Sequence, residues 1–162
     1  MSFRISALPI AHFAPLFTLS DDALIARGAR HVVADRRPGY PCRVSLEDAA
    51  IGERLILVHH EHQAADTPFR AGHAVYIREA AMQAHPAPGE IPALFCHRVL
   101  SLRGFDAHDM MTAADLSPGD RLETAITAML ADPAVAYAHI HYAAPGCYAA
   151  RADRLVEAAA SV

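Results

Sequence analysis

The sequence predicts an α+β fold, a mostly antiparallel sheet with helices packed on one face. Three observations carry that expectation. Strand-like runs pair at hairpin-like distances in the middle of the chain, helix signals stand apart from them toward its two ends, and no Gly-rich turn follows the first strand as a dinucleotide-binding βαβ unit requires. At 162 residues the chain is read as a single domain, 1–162, long enough to bury a core without staples.

The elements follow in order. FRISAL (3–8) reads as a short strand. LSDDALIARGARH carries a helix start, with Ser20 as N-cap, Asp21 and Asp22 at the positive helix end, and Gly28 as a stop. Residues 31–49 are interrupted by Pro38, Gly39 and Pro41 and are assigned to an ordered loop. RLILVHH (54–60) is the best buried strand and HAVYIRE (73–79) the next, joined by a surface loop. HRVLSLRGF (97–105) alternates as a half-solvated, antiparallel-type strand.

SPGDRLETAITAML is the clearest helix, capped by Ser117 and opened by Pro118, with Leu122, Ala125, Ile126, Met129 and Leu130 on one face. DPAVAYAHIHY turns at Asp132-Pro133 and enters a strand. A last helix is expected from the stripe Tyr148, Ala152, Leu155, Val156 and Ala159, with Cys147 at its N-terminus.

Composition narrows the function classes. Of the residues, 53% are apolar and 20% charged, which is globular rather than disordered. A net charge of −4 and a pI near 6.2 give no bulk attraction for nucleic acid. No apolar run is long enough for a membrane helix, and the first residues lack a clear cleavage site, so no membrane association and a cytoplasmic location are expected. The cysteines, Cys42, Cys96 and Cys147, are few and far apart, as for reduced thiols. A small acidic domain of this kind is also a candidate homodimer.

Chemistry-bearing residues gather in three segments. In AHIHYAAPGCYAAR, strand alternation puts His139 and His141 on one face, about 6–7 Å apart. In HHEHQ, His59 and Glu61 share one face, and His60 and His62 share the other. Two histidines and a carboxylate suit zinc or non-haem iron, but HHEHQA is not HExxH, because position 64 holds Ala64. No metal ligand or cofactor is assigned at this point.

Cys147 at a helix start would be activated by the helix dipole, with His141, His139 or His62 as proton-transfer partner. A cysteine-phosphatase loop is excluded, because Arg151 follows Cys147 too soon. The same helix end, with Arg43, Arg70, Glu61 and Arg151 as contacts, would equally hold a carboxylate or phosphate without covalent chemistry. Asp106, His108 and Asp109 read as a hydrogen-bonded turn.

PGYPCRVSLEDAAIGE (38–53), EHQAADTPFRAGHAVYIRE (61–79), RVLSLRGFDAHDMM (98–111) and DPAVAYAHIHYAAPGCYAARADR (132–154) carry a family resemblance. In this order they resemble DUF1203, a family of small bacterial proteins of unknown function. The resemblance implies no reaction, cofactor or partner. It spans Cys42, Arg43, Glu61, His62, Arg70, Arg78, His141 and Cys147. It departs at His59, His60 and Tyr142, which counts against a metal set built on His59 or His60.

The leading expectation is a small anionic ligand in a pocket lined by Arg43, Arg70, Glu61 and Arg151, with His62, His141 and Cys147 as reactive or hydrogen-bonding groups. The alternatives are a Cys/His- or His/Glu-dependent enzyme, metal-assisted or not, and a non-catalytic interaction module.

Overall fold

A computed structural model describes residues 2–155. It contains two antiparallel sheets. The larger has five strands in the order β1-β8-β7-β5-β6, formed by β1 (Ser2–Ser6), β8 (Tyr148–Leu155), β7 (Tyr137–Tyr142), β5 (Val99–Phe105) and β6 (Met111–Pro118). The smaller is β2-β3-β4, formed by β2 (Ala29–Val33), β3 (Arg54–Gln63) and β4 (Ala71–Arg78). With the short helices α1 (Asp21–Ile25) and α2 (Ala93–Cys96) and the longer α3 (Leu122–Ala131), this is the expected α+β class.

The central strand β7 explains the layering. All six of its residues are buried, so both of its faces must be covered. Ala138, Ile140 and Tyr142 join Phe3, Ile5, Leu100 and Leu102 in a core closed by Leu122, Ile126 and Leu130 of α3, which recur every four residues along one helix stripe. Tyr137, His139 and His141 occupy the other face, where β3 and β4 of the smaller sheet close over them. The inner face of that smaller sheet begins apolar, with Ile56, Val58, Val75 and Ile77, and turns to histidine at one end.

A β-bulge tunes this interface. On β8, Ala150 pairs with Ile140 while Tyr148 pairs with His141, leaving Ala149 as the extra residue. The insertion turns Tyr148 onto the histidine face, while Ala149, Ala150 and Ala152 stay in the α3 core. Gly119 marks another close approach: a Cβ there would lie 1.8 Å from the Phe95 carbonyl oxygen, so the turn leading to α3 tolerates only glycine.

Several expectations need correction. The helices do not share one face: α2 and α3 belong to the core of the larger sheet, whereas Leu24 of α1 packs into the core of the smaller one. Tyr148–Leu155 is a strand, not a helix, because β1 and β7 flank it and bond its backbone on both edges. Its alanine-rich composition favours a helix in isolation, and tertiary pairing overrides that preference. Val156 and Ala159 of the expected stripe lie outside the described residues.

Ser117 is the penultimate residue of β6 and donates its hydroxyl to the Pro118 carbonyl instead of capping a helix; α3 follows a 3-10 turn at Gly119–Arg121. The start of α1 is as expected, with the Ala23 N–H donating to Ser20 Oγ at 3.3 Å, and Gly28 adopts φ +68° just beyond its end. Among the described residues, no helix is long and apolar enough to cross a membrane.

Candidate functional site

Strand alternation from both sheets delivers a set of imidazoles to one place. His139 and His141 come from β7, His62 from β3 and His73 from β4. The His62 ring runs nearly parallel to two others, side by side with His73 at 4.8 Å between centres and 4.9 Å from the centre of Tyr148. His141 meets His62 edge-on at 5.0 Å and His73 at 5.5 Å. His139 meets His62 edge-on at 5.4 Å. One ring nitrogen from each of His62, His73 and His141 lies within 4.8 Å of the others.

The protonation pattern follows from the partners. Burial, reinforced by neighbouring histidines and Arg103, pushes His62 and His139 down to about 3 and His141 to about 2, and it lowers His73 as well. The cluster is therefore neutral at pH 7. His62 Nε2 and His73 Nδ1 are 2.8 Å apart, so one donates to the other. His141 Nδ1 lies 3.0 Å from the Gly146 carbonyl, which only accepts, so the proton sits on Nδ1 and Nε2 carries a lone pair. That Nε2, His62 Nδ1 and His139 Nδ1 are buried with no hydrogen-bond partner among the described residues. Each such orphan costs about 1–3 kcal/mol unless something satisfies it.

A cleft of about 1340 Å³ opens beside the cluster, with His73 on its wall. Arg43, Tyr142, Cys147, Asp48 and Arg98 line it too. Arg98 and Asp48 neutralise each other through two contacts of 2.7 and 2.8 Å. Arg43 has no such partner among the described residues. Only 2% exposed, its guanidinium donates to the carbonyls of Tyr148 (2.8 Å) and Pro41 and to Cys147 Sγ (3.0 Å), and it lies 4.9 Å from the centre of the Tyr142 ring. The Tyr142 hydroxyl is buried with no hydrogen-bond partner among the described residues, and burial raises its pKa. A second unpaired guanidinium, Arg103 of β5, stands next to His139 in the sheet register and makes no hydrogen bond or ion pair to the described residues; burial lowers its pKa.

Of the residues singled out from the sequence, Arg43 and Cys147 share the cleft wall, while His62 and His141 sit in the cluster behind it. Glu61 and Arg70 pair with each other at 2.7 Å on the solvent side of β3, away from the cleft. Arg151 clasps Asp153 and covers the Tyr137 ring at 3.8 Å, also away from the cleft. Cys147 does not begin a helix. It closes the β7–β8 turn, where its carbonyl accepts from the Tyr142 N–H, so the helix-dipole argument for it falls. His59 faces away from the cluster, on the side of Glu61. In the turn at residues 106–110, Asp106 accepts from the N–H groups of His108 and Met110, the hydrogen-bonded turn expected there.

Sequence reasoning gave no site role to His73, Tyr142 or Tyr148, and counted Arg103 only among the further arginines of RVLSLR (98–103). The signal for His73 was present. Ile77, Val75 and His73 repeat on β4 the alternation that Ile56, Val58, His60 and His62 show on β3, an apolar face ending in histidine. Tyr148 carried no such signal, because its orientation depends on the bulge.

The family model for a protein of unknown function, DUF1203, matches residues 39–154, which include every residue of the cluster and the cleft wall discussed above. No curated protein and no solved structure matches the chain.

Proposed function

We propose that this chain, which belongs to the DUF1203 family, binds a small anionic molecule in the cleft beside Arg43. One observation carries the reading: Arg43 is a buried guanidinium on the cleft wall with no carboxylate among the described residues to neutralise it. An unpaired buried charge is costly, and a carboxylate or phosphate seated in the cleft would recover that cost through charge-assisted hydrogen bonds. Arginine is the side chain suited to such planar recognition. The unpartnered Tyr142 hydroxyl supplies a neutral donor on the same wall, and His73 a neutral imidazole.

The test is a calorimetric titration with phosphate, sulfate, acetate and citrate. At least one of them should bind, and Arg43→Met should weaken it tenfold or more. In a Cys96→Ser background, the bound anion should also slow iodoacetamide labelling of Cys147, read by peptide mass spectrometry. A flat titration across the panel, with labelling unchanged, would leave the interaction module as the better reading.

A further inference from the structure

We infer that His62, His73 and His141 form a binding site for one divalent metal ion of the zinc class. The inference does not depend on Arg43: His62 and His141 lie behind the cleft wall, and His73 alone borders the cleft as well. Three features on two separate sheets converge on it.

The first is geometry. Zinc–nitrogen bonds of about 2.1 Å at tetrahedral angles place ligand nitrogens about 3.4 Å apart. The three imidazoles already present nitrogens within 4.8 Å of one another, and a bound ion would take the place of the proton that His62 and His73 share. The second is tautomer. His141 donates Nδ1–H to the Gly146 carbonyl, leaving the Nε2 lone pair buried and unused. A backbone carbonyl fixing the far nitrogen in this way is the usual outer support of a metal-bound histidine. The third is satisfaction. A buried acceptor in a residue with no exposed surface demands a partner, and none of the described residues supplies one.

The donor set selects the ion. Three neutral imidazoles without a carboxylate suit zinc, cobalt, nickel or copper and give magnesium or calcium nothing hard to hold. A tetrahedral ion would keep one position open, the pattern of a reactive rather than a purely structural site. Arg103, unpaired beside the cluster, favours an anionic group such as hydroxide in that position. His139 flanks the set without joining it.

The experiment uses the whole chain, purified without a histidine tag and freed of metal with a chelator. Zinc titration against a chromophoric indicator should give one equivalent. Cobalt should give the intense visible bands of tetrahedral coordination, without a thiolate charge-transfer band. His73→Ala, at the cleft edge, should weaken zinc at least 100-fold with an unchanged circular dichroism spectrum, whereas His59→Ala, on the outer face, should bind as the parent does. No binding by the parent chain, a thiolate band from Cys147, or full affinity in folded His73→Ala would each overturn the site.

Discussion

His141 reaches across the β7–β8 turn to the carbonyl of Gly146, 3.0 Å from its Nδ1, and this bond decides which nitrogen faces the cluster. Gly146 can lie there because it adopts φ +73°, a conformation that costs glycine little. The consequence is measurable. Long-range nitrogen-15 NMR of the metal-free protein should show His141 as the Nδ1–H tautomer, and the pattern should persist from pH 8 to pH 5, because burial holds this imidazole near 2. Observation of Nε2–H, or titration near pH 6.5, would remove the lone pair on which the cluster's chemistry depends.

Acid should destabilise the metal-free protein earlier than its carboxylates alone would. His62 and His139 have folded-state values near 3, against about 6.5 in the unfolded chain. Between those values the unfolded state binds more protons, so stability is present above pH 6.5 and lost as the pH falls toward 3. Thermal midpoints measured in that window should fall steadily from pH 6.5 downward. A plateau to pH 4.5 would contradict the burial assigned to these rings.

His139 offers a way to divide that acid arm. Its ring lies 4.9 Å from Phe105 and 5.1 Å from Tyr148, and its Nδ1 has no partner among the described residues. An aromatic ring of similar shape fits the same nest and removes the orphaned nitrogen. His139→Phe should therefore remain within about 1.5 kcal/mol of the parent at pH 8 and lose less stability than the parent by pH 5. A steeper acid loss in the variant would count against this account.

These predictions rest on features that were unevenly legible in the sequence. Alternation along a strand has a period of two, so pairing His139 with His141 and His60 with His62 needed no structure. That His62 meets His139 and His141 did need it, because sheets pack through contacts far apart in the chain. Cys147 was misplaced for a local reason. YAARADRL has the alanine content and spacing of a helix, and only the backbone partners on β1 and β7 make it a strand. The unpaired state of Arg43 was equally invisible, since a sequence shows a charge but not which of the nearby acids another arginine has taken, as Arg98 takes Asp48.

The turn into α3 gives a test of packing independent of any site. Gly119 presses its backbone against that of Phe95, and it donates its N–H to the Arg98 carbonyl at 2.8 Å. A methyl group there collides with main chain, which cannot rotate away as a side chain does. Gly119→Ala should cost about 3 kcal/mol in urea denaturation. A loss below 0.5 kcal/mol would mean that the α2–α3 junction is looser than its geometry.

Tyr142 separates stability from binding on the cleft wall. Its ring packs beneath the Arg43 and Arg98 guanidiniums at 4.9 and 5.5 Å, while its hydroxyl is buried without a partner among the described residues. Tyr142→Phe keeps the ring and deletes the unsatisfied group, so the folded state should be unchanged or gain up to about 1 kcal/mol. If the hydroxyl serves a bound anion, the same substitution should weaken that anion by roughly tenfold, the loss of one hydrogen bond. Parallel urea denaturation and calorimetry therefore give opposite signs at a single position. A substitution that costs stability and leaves anion affinity intact would mean that the hydroxyl has a structural partner and no part in the ligand's seat.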